Sequence, residues 1–130
     1  MRTYRIADAA RLLGVSDDTV RRWIEAGSLA TTGASPVEIP GDALAQRAVE
    51  RAQQAADTSD VLSSARNRFV GLVTRVQVDG VMAQVDIQSG PHRVVSLMSA
   101  EAVRELELQI GSLAAAVVKA TTVIVEAPKD

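Results

Sequence analysis

The hydrophobic period of this 130-residue chain changes at about residue 64, and that change fixes the fold class. Before it, apolar residues recur at helical spacing. Ile6, Ala9, Ala10 and Leu13 fall at i, i+3, i+4 and i+7, which predicts a short helix over 6–13. Gly14 supplies a left-handed terminator after it. Ser16 is a good N-cap for a second helix, and Asp17 and Asp18 suit its positive end. That helix is expected to run to Ala26 and stop at Gly27, burying Val20, Trp23 and Ile24 and exposing Thr19, Arg21, Arg22 and Glu25. A third helix is expected over 42–56, with a shallow stripe of Leu44, Ala45, Ala48, Val49 and Ala52 inside and Arg47, Glu50 and Arg51 outside. Beyond residue 64 the pattern is strand-like. Phe69, Leu72, Val73, Val76 and Val78 mark a first strand, and Asp79-Gly80 is a strong hairpin turn. Met82, Gln84 and Asp86 alternate with Ala83, Val85 and Ile87. Ser89-Gly90-Pro91 turns the chain into a third strand over 92–97. Ser99 caps a short helix over 100–106, and strands over 113–120 and 123–125 bring the total to five. The prediction is an α+β chain: a small helical head, then a five-stranded barrel of the OB-like kind.

Composition narrows the chemistry. Aromatic residues are 2% of the chain, so both cores must be aliphatic. A segment of about 60 residues is marginal alone, which predicts completion of the core by homo-oligomerisation. There is no Cys and a single His, His92, so thiolate and His-based metal sites are not expected; His92 reads as a surface strand residue. No apolar run is long enough for a transmembrane helix, the N-terminus lacks the apolar core of a signal peptide, and the cytoplasm is the default location. No Ser/His/Asp set, phosphate-binding loop or dinucleotide fingerprint is present, and no enzyme is predicted. The net charge of −2 argues weakly against nucleic-acid binding, as does the balance of seven basic and eight acidic residues in both 1–57 and 58–130. Any DNA contact must use the local cluster of Arg2, Arg5, Arg11, Arg21 and Arg22, which outnumbers Asp8, Asp17 and Asp18.

The residues at the edges of the strand-rich half carry a second chemistry. Ser64, Ser99 and Thr121 are small hydroxyl residues close to turns, and Arg66 and Lys119 are cations set into otherwise apolar strands. An Arg fork, a Lys point charge, hydroxyls and backbone N–H groups suit a tetrahedral dianion. The same residues are also compatible with a merely solvated strand face. The stretches Ser64-Ala65-Arg66-Asn67-Arg68-Phe69-Val70-Gly71, Gly80-Val81-Met82-Ala83-Gln84-Val85, Ser99-Ala100-Glu101-Ala102-Val103-Arg104-Glu105-Leu106 and Val118-Lys119-Ala120-Thr121 together resemble the molybdate-binding Mop (molbindin, TOBE) domain family over about half of the chain. That resemblance implies a domain over 64–127 that binds molybdate or tungstate at sites between subunits, in a dimer or a trimer of dimers. It implies Ser64, Ala65, Arg66, Ser99, Lys119, Ala120 and Thr121 as site residues. Ala102 stands where some relatives carry a Ser ligand, and Thr121 where Ser is commoner.

In the first half, Gly14-Val15-Ser16 joins two short helices into a helix-turn-helix. The run from Ile6 to Ser16, followed by Thr19-Val20-Arg21-Arg22-Trp23, resembles the MerR-like and excisionase-like DNA-binding families. The resemblance implies a winged helix-turn-helix head over 1–57 that places its second helix in the major groove of double-stranded DNA. Ser16, Asp17, Asp18, Thr19, Arg21 and Arg22 are then the candidate DNA-binding residues, with Arg5 and Arg11 flanking on phosphates. An Asp there is compatible with base readout, since it accepts from cytosine N4. The wing is expected as two short strands within 28–40, a segment holding no Arg or Lys. Residues 58–63 read as a linker. The joint expectation is a molybdate- or tungstate-responsive transcriptional regulator. Two alternatives stand beside it: a molybdate storage or buffering protein whose head serves assembly, and a regulator whose barrel only dimerises.

Overall fold

The computed structural model describes residues 2–53 and 62–129. The chain divides into two compact units, Met1–Ala56 and Asp57–Asp130. The linker assigned to 58–63 and the end of the third helix beyond residue 53 fall largely or wholly outside the described residues.

In the first unit, β1 (Thr3–Tyr4) leads into α1 (Ile6–Leu13), α2 (Asp17–Glu25), β2 (Ile39–Pro40) and α3 (Gly41–Gln53). Gly14, at φ 67°, ends α1 in the left-handed conformation that a Cβ disfavours, and Val15 N–H then donates to the Ala10 carbonyl at 3.0 Å. The chain reverses within two residues, and Ser16 Oγ caps α2 by accepting from Thr19 N–H at 3.1 Å. Ala9, Ala10, Val20, Leu29, Ile39 and Leu44 form the core, with Tyr4, Ile6, Leu13, Trp23 and Ile24 packed around it.

Two features differ from the sequence reading. The expected two-stranded wing is not formed. Only Ile39–Pro40 is extended, and it pairs with β1 at the N-terminus through Thr3↔Pro40 and Tyr4↔Ile39. The loop before it is tied by a bond from Thr32 N–H to the Glu38 carbonyl at 2.9 Å. Pro36 lacks a ladder donor, which weakens pairing within this loop. The α3 stripe is also shallower than expected. Leu44 is buried and Ala48 half-buried, whereas Ala45, Val49 and Ala52 are exposed. Arg47, expected outside, is instead turned inward, with its guanidinium 4.4 Å from the centre of the Trp23 ring and only 18% of its side chain exposed. Arg51 covers the same ring at 5.4 Å. Two cations thus seal an indole that the small alanines cannot cover.

The second unit contains β3 (Asn67–Asp79), β4 (Met82–Ser89), β5 (His92–Ser99), α4 (Ala100–Glu105) and β6 (Leu113–Val118), followed by a 3-10 turn over Ala120–Thr122. The strands form one antiparallel sheet in the order β5-β4-β3-β6. The long strand β3 serves two partners. Residues 67–72 pair with β6 and residues 72–79 with β4, with a register shift between Val73 and Arg75. Gly71 sits where the two ladders meet. A Cβ there would lie 2.1 Å from the Gln88 carbonyl oxygen, so only glycine lets the end of β4 cross so closely. Ser89 Oγ donates to the Val70 carbonyl at 2.7 Å at the same crossing. The sheet therefore curls around Val73, Ala83, Val85, Ile87 and Val103.

Among the described residues the sheet has four strands, and the curl does not close into the expected five-stranded barrel. The expected strand over 123–125 is absent, because the 3-10 turn carries the chain out of the β6 ladder. It leaves Val123, Ile124 and Val125 46%, 88% and 85% exposed.

Candidate functional site

The β3–β6 register builds one end of the sheet. Its terminal pair is Asn67↔Val118, and Asn67 Nδ2 donates to the Val118 carbonyl at 3.1 Å. Ser64, Ala65 and Arg66 precede that pair on one side, and Lys119, Ala120 and Thr121 follow it on the other. The register thus brings together two segments more than fifty residues apart in sequence. Arg66 and Lys119 were expected inside strands; both lie just beyond strand ends, where the backbone is released from the ladder. The Arg66 guanidinium folds back onto the Ser64 carbonyl at 3.1 Å, and Ala65 N–H donates to Ser63 Oγ at 3.1 Å. Lys119 precedes the 3-10 turn, and its carbonyl accepts from Thr122 Oγ1 at 2.8 Å. Both cations are exposed, and among the described residues neither is paired with a carboxylate. Cationic and hydroxyl groups on released backbone, without carboxylates to neutralise them, are chemistry for an anion.

Ser99 is elsewhere. It pairs with Met82, which pairs with Asp79, at the far end of β3 from Asn67. Twelve strand steps give a contour of about 40 Å between those ends. Its hydroxyl also has a structural task, since Ser99 Oγ accepts from Ala102 N–H at 3.0 Å and caps α4. One chain therefore assembles Ser64, Ala65, Arg66, Lys119, Ala120 and Thr121 but not Ser99.

On the helix-turn-helix, the six candidate residues share the first turns of α2. Asp17, Asp18, Arg21 and Arg22 are exposed and Thr19 is half-buried. They are already linked to one another. Thr19 Oγ1 lies 2.9 Å from Ser16 Oγ and accepts from Arg22 Nη2 at 3.1 Å, while Arg21 Nη1 pairs with Asp18 Oδ1 at 3.4 Å. Arg11 pairs with Asp8 at 3.3 Å. Arg5 and Arg21 line one shallow groove with Asp17 and the loop residues Ser35, Pro36 and Val37.

The sequence reading missed one polar cluster. Asp86 is buried on β4, yet it accepts from Gln84 Nε2 at 3.0 Å and from Arg93 Nε and Nη2 at 3.0 and 2.9 Å. The Gln84 hydrogen bond, followed by the Arg93 bond and charge and the charge of Arg75, holds its pKa below the ordinary carboxylate value against the opposing effect of burial. The hairpin at Gly90 sets the register that makes Asp86 and Arg93 diagonal neighbours, so the turn was the available signal. No cluster of His, Cys, Asp or Glu among the described residues is placed to hold a metal ion. No described helix is long and apolar enough to cross a membrane.

Comparison with known proteins agrees with this two-part layout. A helix-turn-helix domain model matches residues 3–47 and a TOBE domain model matches residues 63–125. A probable molybdenum-pterin-binding protein of Haemophilus influenzae is 43% identical over 63 residues, which is 48% of this chain and 91% of that one. The molybdenum transport protein ModE of Herbaspirillum seropedicae is 35% identical over 63 residues, and this chain spans only 23% of its length. Among solved structures, the cytoplasmic molybdate-binding protein ModG with molybdate bound is 37% identical, with a TM-score of 0.51, over 55% of this chain and 52% of that one. The similarity to these relatives lies in the curled sheet, and its reach across nearly the whole H. influenzae protein shows that the chain belongs to the TOBE domain family, with a helix-turn-helix domain at its N-terminus.

Proposed function

We propose that the protein is a cytoplasmic transcriptional regulator that binds molybdate or tungstate through 64–127 and double-stranded DNA through 1–57. The observation that supports the anion half is that Ser64–Ala65–Arg66 and Lys119–Ala120–Thr121 flank the terminal Asn67↔Val118 pair on its two strands. The guanidinium of Arg66 leaves its own loop carbonyl to grip one edge of the anion, Lys119 supplies a second charge, and hydroxyl and backbone donors fill the remaining oxygens. Ser99 belongs to the same site only if a second copy supplies it, since the two ends of β3 stand far apart. The site then lies between subunits, and the protein works as a homo-oligomer. ModG, a relative over this half, was solved with molybdate bound, which supports the choice of anion.

The DNA half rests on α2. Its exposed Arg21 and Arg22 exchange their intrahelical partners for phosphate or base edges in the major groove, with Ser16, Asp17, Asp18 and Thr19 alongside. Residues 28–40 offer no cation to the backbone, so each head binds modestly and paired heads supply avidity.

Equilibrium dialysis of the whole protein against molybdate, followed by metal analysis, tests the anion half. The expected result is stoichiometric retention of molybdate, displaced by tungstate at similar concentration and far less by sulfate, whose smaller radius overstretches the donors. Equal displacement by millimolar sulfate would overturn the assignment. Retention of molybdate without any DNA binding would leave a buffering protein instead.

A further inference from the structure

The exposed face of α2 is electrically balanced. Asp18, Arg21, Arg22 and Glu25 fall at i, i+3, i+4 and i+7, so they share one side of the helix. With Ser16 they line one shallow groove. Two guanidinium groups meet two carboxylates there, and the face carries no net formal charge. Attraction to phosphates needs unopposed cations, and each carboxylate on this face works against it. A helix that only gripped the DNA backbone would gain by having none. The acids therefore have a use that backbone contact does not supply.

Asp18 is the acid placed to read a base. It stands in the first turn of α2, the part of a recognition helix that reaches base edges, whereas Glu25 lies about 10 Å further along the axis. Asp18 is 87% exposed, and its partner Arg21 Nη1 is 3.4 Å away and 54% exposed. A surface pair of that kind is worth about 1 kcal/mol or less, so a duplex separates it easily. Once apart, the two groups need opposite partners, since a guanidinium only donates and a carboxylate only accepts. In the major groove guanine offers the acceptors O6 and N7, and cytosine offers the donor N4. G·C pairs therefore replace both halves of the broken bond. Thymine under Asp18 would set the carboxylate against the O4 acceptor and a methyl group. Adenine would set its N7 acceptor against one carboxylate oxygen.

We propose that Asp18 is the specificity-determining residue of the head. It reads cytosine N4 while Arg21, released from it, takes guanine, and it weakens binding to every other sequence by repelling phosphates. The inference rests on the reading of α2 as a DNA-binding helix and adds which base that helix selects. Arg21 supplies attraction, and Asp18 makes that attraction conditional on sequence.

The test uses the full-length protein. Duplexes are selected from a random-sequence library at one fixed salt concentration, and each pair of the enriched half-site is then replaced in turn. One C·G pair is expected whose replacement by T·A weakens binding by about 5–150-fold. In Asp18→Ala the same replacement is expected to matter by less than about 3-fold, while a scrambled duplex binds more tightly than it does to the unaltered protein. Asp18→Asn is expected to move the preference at that position from cytosine to adenine, because an amide meets adenine N6 and N7 together. Ser16 caps α2 in both variants, so their circular dichroism should match that of the unaltered chain. A half-site without such a C·G pair, or Asp18→Ala discriminating as well as the unaltered protein, would overturn the assignment while DNA binding stands. An equal loss of affinity on all duplexes would make Asp18 a helix-stabilising residue and would also overturn it. Failure of the unaltered protein to bind any duplex would overturn the DNA reading itself, and the inference with it.

Discussion

At the scale of single residues, three side chains carry distinct loads. Arg66 stands outside the ladder, exposed, and among the described residues its guanidinium is held by a nearby carbonyl, so its removal is expected to cost the fold little. Arg66→Ala should leave thermal unfolding almost unchanged and weaken molybdate binding by about 2–3 kcal/mol or more, the value of a charge-assisted fork on an anion. Calorimetric titration checks this, and unchanged affinity would remove Arg66 from the site. Asp86 carries a pH dependence. Its folded pKa lies below the unfolded value, so its contribution to stability is complete above the ordinary Asp value of about 3.9 and disappears as pH falls through the lower folded value. Acid titration of unfolding should therefore show a loss below about pH 4 that Asp86→Asn reduces. Arg47 is the third. Its guanidinium roofs Trp23, and Arg47→Ala should destabilise the head by about 1–2 kcal/mol, measured by denaturant unfolding of the tryptophan fluorescence.

At the scale of elements, α2 holds the prediction for DNA. Ser16 and the turn at Gly14 secure its start independently of Arg22, so Arg22→Ala should leave the helix in place. Specific DNA binding should fall by about 1–3 kcal/mol if that guanidinium reaches a base edge. A gel shift with unchanged affinity would reassign the exposed face of α2 to protein contacts. The elements also show what the sequence could convey. Caps at Ser16 and Ser99 were legible because each needs only a backbone N–H three residues ahead. The β4 face of Ala83, Val85 and Ile87 was legible from strict alternation. Arg47 was misread because its burial depends on an indole twenty-four positions earlier, which no helical period encodes. The strand expected over 123–125 does not form in this chain because β-branched composition shows that a segment can pair, not that a neighbouring strand is placed to pair with it. The separation of Ser99 from Arg66 follows from the shared register of β3, a property of pairing and not of the Ser99 stretch itself.

At the scale of the whole molecule, the two halves are joined in sequence by a short segment, and both readings call for more than one copy. Paired helix-turn-helix heads meet half-sites near one helical turn apart, or a multiple of it. On the proposed reading, an anion bound between subunits would change the contact that sets that spacing, which would link anion and DNA affinities so that each alters the other by the same factor. The measurement that tests this most directly is the dissociation constant for operator DNA with and without saturating molybdate, with oligomeric mass followed in parallel. A regulator is predicted to show a change of about 5–150-fold at constant mass. An identical constant in both conditions, with molybdate demonstrably bound, would contradict the regulatory claim and leave a DNA-associated anion buffer.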